Sequence, residues 1–139
     1  RDALDCAYNI IMSTEIIGIS HLEREIIANV VRYNIRDFDY YKVRMETELD
    51  AVTDSFGGQN EVMLLIAKLT AILRLANSMD RGHGDKLADC KMAVKDGKLM
   101  ITTDYPGDIT LEAVSFEQKA AFFEEIFGIR PVLRHKKYR

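Results

Sequence analysis

The most polar concentration adjoining the chain's most hydrophobic segment, Val62 to Met79, is the run Asp80-Arg81-Gly82-His83-Gly84-Asp85-Lys86, which mixes both charges. Arg81, His83 and Lys86, together with Arg74 upstream, are residue types that bind phosphate groups. The arginines do so through a planar two-point contact that lysine does not match. The same run also reads as a helix end, with Asp80 paired to a neighbouring arginine and the glycines making the turn. Both readings stay open on the residues alone. A second basic group lies at the other end of the chain, where Arg130, Arg134, Lys136, Lys137 and Arg139 crowd around His135 although the net charge is −3. Such an end either attracts polyanions or is a solvated tail.

Other chemistries find little support. The chain has no Gly-rich phosphate loop, G-x-S-x-G elbow, H-E-x-x-H pair or dinucleotide fingerprint. Its histidines are His21, His83 and His135, and none has a second histidine three to five residues on with which to share a metal. His21 falls in a first helical turn and reads as an exposed side chain of the capping region. Cys6 and Cys90 stand far apart without C-x-x-C spacing, so they read as free, buried thiols. The six methionines and the Phe122-Phe123 pair sit at spacings that core packing explains.

The elements that must position these residues follow from periodicity. With 139 residues, 47% hydrophobic and 29% charged, the chain has the composition of one globular domain, residues 1–139. No apolar run approaches the roughly 20 residues that span a bilayer, and no signal pattern opens the chain, so a cytoplasmic location is expected. The start on Arg1 suggests a piece of a longer protein.

Residues 1–87 read as a helical bundle. Ala3, Ala7, Ile10, Ile11 and Thr14 recur at helical steps, and Gly18 offers a stop. Ser20 and Glu23 form a capping box for a second helix with Leu22, Ile26, Ile27, Val30 and Tyr33 inward. Phe38, Tyr41, Met45, Leu49, Val52 and Phe56 mark a third, ended by Gly57-Gly58. Asn60 then caps a central helix, Val62 to Met79, that is apolar nearly all round except for a stripe of Thr70, Arg74, Asn77, Ser78 and Arg81.

Residues 88–139 change to a period of two. Strands at 90–95 and 98–103 flank Asp96-Gly97, the pair suited to a type I′ turn, and a turn at Tyr105-Pro106-Gly107-Asp108 leads to a third strand from Ile109 to Val114. Ser115 with Gln118 caps a helix carrying Phe116, Ala120, Phe123 and Phe127 on one face and closed by Gly128; Pro131 to Arg134 makes a last edge strand. The class is therefore α+β: a helical bundle, then a small antiparallel sheet with one helix against it.

The stretch from Leu69-Thr70-Ala71-Ile72-Leu73-Arg74 through Leu75-Ala76-Asn77-Ser78-Met79-Asp80-Arg81-Gly82-His83 resembles a signature of the exopolyphosphatase/guanosine pentaphosphate phosphohydrolase family, L-x-x-x-L-R-x-A-D-x-L-D-R-x-H, in its C-terminal domain. Glu15 to Ser20, Glu23, Ile27-Ala28 and Arg32-Tyr33 are similar to the same domain's G-x-S-x-x-E, I-A and R-Y-H runs, and Leu111-Glu112 and the Phe123-to-Gly128 helix end match downstream. The resemblance covers nearly the whole chain. It implies an HD-like bundle that serves as an accessory domain to two actin-like catalytic halves, binding polyphosphate or a phosphorylated guanosine nucleotide and forming a homodimer, with no membrane and no nucleic acid among its partners. On that reading the candidate polyanion contacts, taken from the chain's own basic residues, are Arg74, Arg81, His83 and Lys86, then Arg134, Lys136 and Lys137.

This chain departs from an active HD site. Asn77 stands at the aspartate's position, Asn34 follows Arg32-Tyr33 where a histidine belongs, and the early H-x-x-H-S region reads Asp2-Ala3-Leu4-Asp5-Cys6. Amides replace ionic or imidazole ligands poorly at a catalytic metal. The resemblance therefore implies no catalytic residue, metal or cofactor in this stretch, and leaves room for a divalent metal in the parent's catalytic domains, a phosphoanhydride hydrolase. Two other readings are a metal-dependent phosphohydrolase using Asp2, Asp5, Asp80 and His83, and a structural dimerisation scaffold.

Overall fold

Local chemistry at Ser20 sets the first long-range turn of the chain. In a computed structural model, which describes residues 2–15, 17–34 and 59–136, helix α1 (Asp2–Ser13) runs to a turn through Gly18 at φ +87°. Ser20 then opens α2 (His21–Arg32): its hydroxyl accepts the Glu23 N–H at 3.1 Å, and the Glu23 carboxylate accepts the Ser20 N–H at 2.9 Å. Both halves of the expected capping box are present. These bonds, the backbone one first, hold the Glu23 carboxyl below its usual range.

The chain divides into two compact units, Arg1–Thr70 and Ala71–Arg139. The division falls within helix α3 (Gln59–Met79), upstream of the change of period read after Leu87. In the first unit α2 packs on α1, burying Ile26, Ala28, Val30 and Tyr33 as well as Glu25, Asn29 and Arg32, while Ile27, expected inward, is exposed. The third helix expected from Phe38 to Phe56 lies outside the described residues.

Helix α3 begins at Gln59, so Asn60 lies within it rather than capping it. Its expected burial on most sides is incomplete, because Leu64, Leu69 and Ile72 are exposed. Contrary to the expectation from sequence, Glu61–Met79 is long and apolar enough by length and composition to cross a membrane, and half of it is buried inside the fold. The polar stripe does not face one way. Thr70, Arg74 and Ser78 are buried, Asn77 and Arg81 exposed. Ser78 returns its hydroxyl to the Leu75 carbonyl at 2.6 Å, which lets a polar residue sit inside. Cys6, expected buried, is exposed, and Cys90 is half-buried; both are free.

The second unit is a three-stranded sheet in the order β1-β2-β3 with helix α4 against it, where β1 is Lys91–Lys95, β2 Lys98–Thr103, α4 Thr110–Phe127 and β3 Arg130–His135. Asp96 and Gly97 adopt φ +54° and +72°, so the expected type I′ turn pairs Lys95 directly with Lys98. Two expectations fail here. Ile109 to Val114 is not a strand: the helix starts at Thr110, and Ser115 and Gln118 lie inside it. The reason is a longer helical face, Glu112, Phe116, Ala120 and Phe123, all buried, which outweighs the short alternation. Asp108 supplies the start, its Oδ1 accepting both the amide N–H (2.9 Å) and the hydroxyl (2.5 Å) of Thr110.

The sheet is also mixed rather than antiparallel. A helix between β2 and β3 carries the chain back to the start of β2, so β3 pairs parallel to it, Lys98 with Arg130 through Thr103 with His135. Gly128, at φ +70°, makes the left-handed turn out of α4. The core of this unit is Ala71, Leu75, Ile101, Phe116, Ala120 and Phe123, with Leu99 and Leu133 against it. The odd-numbered residues of β2 and β3 thus face α4.

Candidate polyanion site

Helix α3 ends by tightening, Asp80 N–H reaching Asn77 O and Arg81 N–H reaching Ser78 O, and His83 then takes φ +55°. The turn is fastened to α4. Gly82 N–H donates to Glu112 Oε2 at 2.9 Å, and a Cβ on Gly82 would lie 2.6 Å from that oxygen, so a larger residue here has to push the carboxylate aside. Glu112 is 1% exposed, and its other oxygen lies 3.5 Å from Lys86 Nζ. Lys86 Nζ also donates to the Asp108 carbonyl at 2.9 Å. One buried carboxylate therefore holds the Asp80–Lys86 turn against the first turn of α4.

Next to it lies an open depression of ≈ 600 Å³, walled by Tyr105 to Thr110, Ala113, Leu133 and His135. His135 Nε2 lies 2.7 Å from the Tyr105 carbonyl oxygen, which can only accept, so Nε2 carries the proton. The Asp108 carboxyl is held below its usual range, first by the Thr110 hydroxyl and amide, with smaller electrostatic help from Lys86 and His135. Both residues thus reach one loop, Lys86 at the Asp108 carbonyl and His135 at the Tyr105 carbonyl.

The expected contacts are distributed unevenly. Arg81 and His83 are exposed on the turn, with His83 Nδ1 3.8 Å from Asp80 Oδ2. Arg134 and Lys136 are exposed at the end of β3, and Lys137 lies outside the described residues. Lys86 is tied to Glu112 and Asp108. Arg74 is buried with its guanidinium 4.8 Å from the centre of the Phe122 ring, a cation–π contact. So the turn and the β3 end approach each other at Asp108 through Lys86 and His135, and Arg74 is used inside.

Sequence reading named Glu112 only within the resemblance and gave it no role, although its spacing of four from Phe116 and eight from Ala120 on the buried face points to one. It also missed a buried polar set in the first unit. Tyr8 donates to Glu25 Oε1 at 2.9 Å, Asn29 Nδ2 to the Glu25 carbonyl at 2.8 Å, and the Arg32 guanidinium lies 3.5 Å from the Tyr8 ring centre. Glu25, Asn29 and Arg32 step by four and three, a polar stripe legible at helical spacing. Among the described residues, no three His, Cys, Asp or Glu side chains are grouped to hold a metal ion. Set beside protein-family models, curated proteins and solved structures, the chain gives no significant match.

Proposed function

We propose that the chain is a non-catalytic polyanion-binding module, the accessory C-terminal domain of an exopolyphosphatase or guanosine pentaphosphate phosphohydrolase, acting in the cytoplasm as a dimer. The observation that carries this reading is the convergence of Lys86 and His135 on the Asp108 loop. Lys86 and His135 act on its carboxylate from two elements, while Arg81, His83, Arg134 and Lys136 stay exposed. Because Gly82 and Glu112 fix the turn, the exposed side chains beside it are offered from a rigid base, which lowers the entropy lost on binding.

The test is binding of linear polyphosphate to the purified chain at two salt concentrations. Each neutralised phosphate releases counterions, so the affinity falls as salt rises. Arg81→Ala with His83→Ala, and separately Arg134→Ala with Lys136→Ala, are expected to flatten that dependence. A flat salt response, or no binding at low salt, overturns the reading. It would favour the scaffold instead, the reading supported by the internal engagement of Arg74 and Lys86.

A further inference from the structure

The pairing register places a second set of cations on the face of the sheet turned away from α4. Residues directly paired across a sheet point to the same side, so this face carries three cross-strand rows. The first is Lys95, Lys98 and Arg130; the second Ala93, Met100 and Val132; the third Lys91, Thr102 and Arg134. An apolar row is thus bordered on both sides by positive charge, and no strand residue on this face is acidic.

One of the five cations in these rows is withdrawn towards α4, and among the described residues the other four are uncompensated. Arg130 is turned to Glu117 at 2.6 Å and Glu124 at 3.3 Å on α4. Lys91, Lys95, Lys98 and Arg134 are exposed, and among the described residues none of the four is in an ion pair. Lys95 and Lys98 stand directly opposite each other, an arrangement that costs stability until an anion lies between them. Met100 and Val132 are only half-buried. Parallel pairs such as β2 and β3 are ordinarily covered on both faces, and here α4 packs on one.

We infer that this face docks an acidic amphipathic helix of a partner protein. Rows lie about 6.6 Å apart along the strands and extend about 10 Å across them, so the apolar row matches about two turns of a helix lying across the sheet. Carboxylates on both shoulders of that helix meet the two basic rows, and its apolar stripe covers Ala93, Met100 and Val132. A bare polyanion satisfies the lysines and leaves the apolar row in water. Single-stranded nucleic acid has one charged edge, where this face has two charged borders. The surface lies on the opposite side of the sheet from His135 and the Asp108 loop, with Arg134 alone counted among the expected polyanion contacts. The small footprint implies weak, transient binding.

The experiment is an amide NMR titration of the whole chain with two synthetic peptides of the same composition. One carries leucines at helical spacing with glutamates on both shoulders; the other has the same residues scrambled. The ordered peptide is expected to shift signals of β1, β2 and β3 and to bind about tenfold more tightly than the scrambled one. Lys95→Glu with Lys98→Glu should weaken it about tenfold. Met100→Ser should weaken it severalfold and leave polyphosphate binding unchanged, with helix content and melting temperature confirming that each variant is folded. Equal binding of both peptides overturns the inference in favour of a simple polyanion surface, and so does insensitivity to Met100→Ser. Absence of shifts on the sheet overturns it outright, and neither result touches the Asp108 site.

Discussion

A methyl group at position 82 has nowhere to go but into Glu112. In Gly82→Ala the new Cβ would lie 2.6 Å from Glu112 Oε2, and that carboxylate is 1% exposed and held on its other side by Lys86. The 2.9 Å bond from the residue-82 N–H must therefore open. A hydrogen bond to a charged group contributes about 1.5–3 kcal/mol, and alanine recovers about 0.4–1 kcal/mol by restricting the unfolded chain. The net loss is about 1–2 kcal/mol, a fall in Tm of about 3–8 °C for a chain of this size. Glu112→Ala alone should cost about 2–4 kcal/mol, since it removes the same bond and strips Lys86 of its carboxylate. In the Glu112→Ala background the obstacle is gone, and the second change to Gly82→Ala should be neutral or slightly stabilising. Urea denaturation of the wild type, both single variants and the double variant gives the coupling directly. Additivity within about 0.5 kcal/mol would refute the claim that Gly82 is there for Glu112.

Three further outcomes are expected elsewhere. Ser20→Ala should cost about 1 kcal/mol by removing the hydroxyl that accepts from Glu23, as thermal melting would record. Thr110→Val removes the hydroxyl that does most to lower the Asp108 carboxyl, so the titration of Asp108 followed by carboxyl NMR should move up toward its ordinary value. Because the folded-state value is depressed, the linked stability is present above the ordinary carboxylate range and is lost as pH falls through the depressed value. The variant should therefore lose less stability between neutral pH and pH 3 than the wild type does. Phe116→Ala empties a fully buried position and should cost about 3–5 kcal/mol in urea denaturation; a loss below about 1 kcal/mol would mean the core packs elsewhere.

What could be read in advance was what is local. The Ser20–Glu23 box, the Asp96-Gly97 turn and the Gly128 stop depend on backbone groups within a few residues, and each stands where its residue types place it. The segment from Ile109 misled because its alternation is short and Glu112 belongs to the buried face of α4. Pairing direction is a tertiary property: nothing within Arg130–His135 distinguishes a parallel partner from an antiparallel one until the path of α4 is known. The site was half legible. Exposed Arg81, His83, Arg134 and Lys136 follow from charge alone, whereas the internal use of Arg74 and Lys86 requires knowing that Phe122 and Glu112 lie beside them.

The open edge of β1 has a consequence for self-association. Met92 and Val94 are 60% and 66% exposed beside backbone groups that no strand among the described residues pairs, a combination that invites stacking of one copy on the next. Yet the strand begins and ends in lysine. A fully overlapped antiparallel match with a second β1 sets Lys91 against Lys95 twice, and a parallel match lines up identical lysines. Charge thus closes to copies of itself an edge that an acidic strand could still join, and neutralising Lys91 and Lys95 would turn a stable border into a growing one.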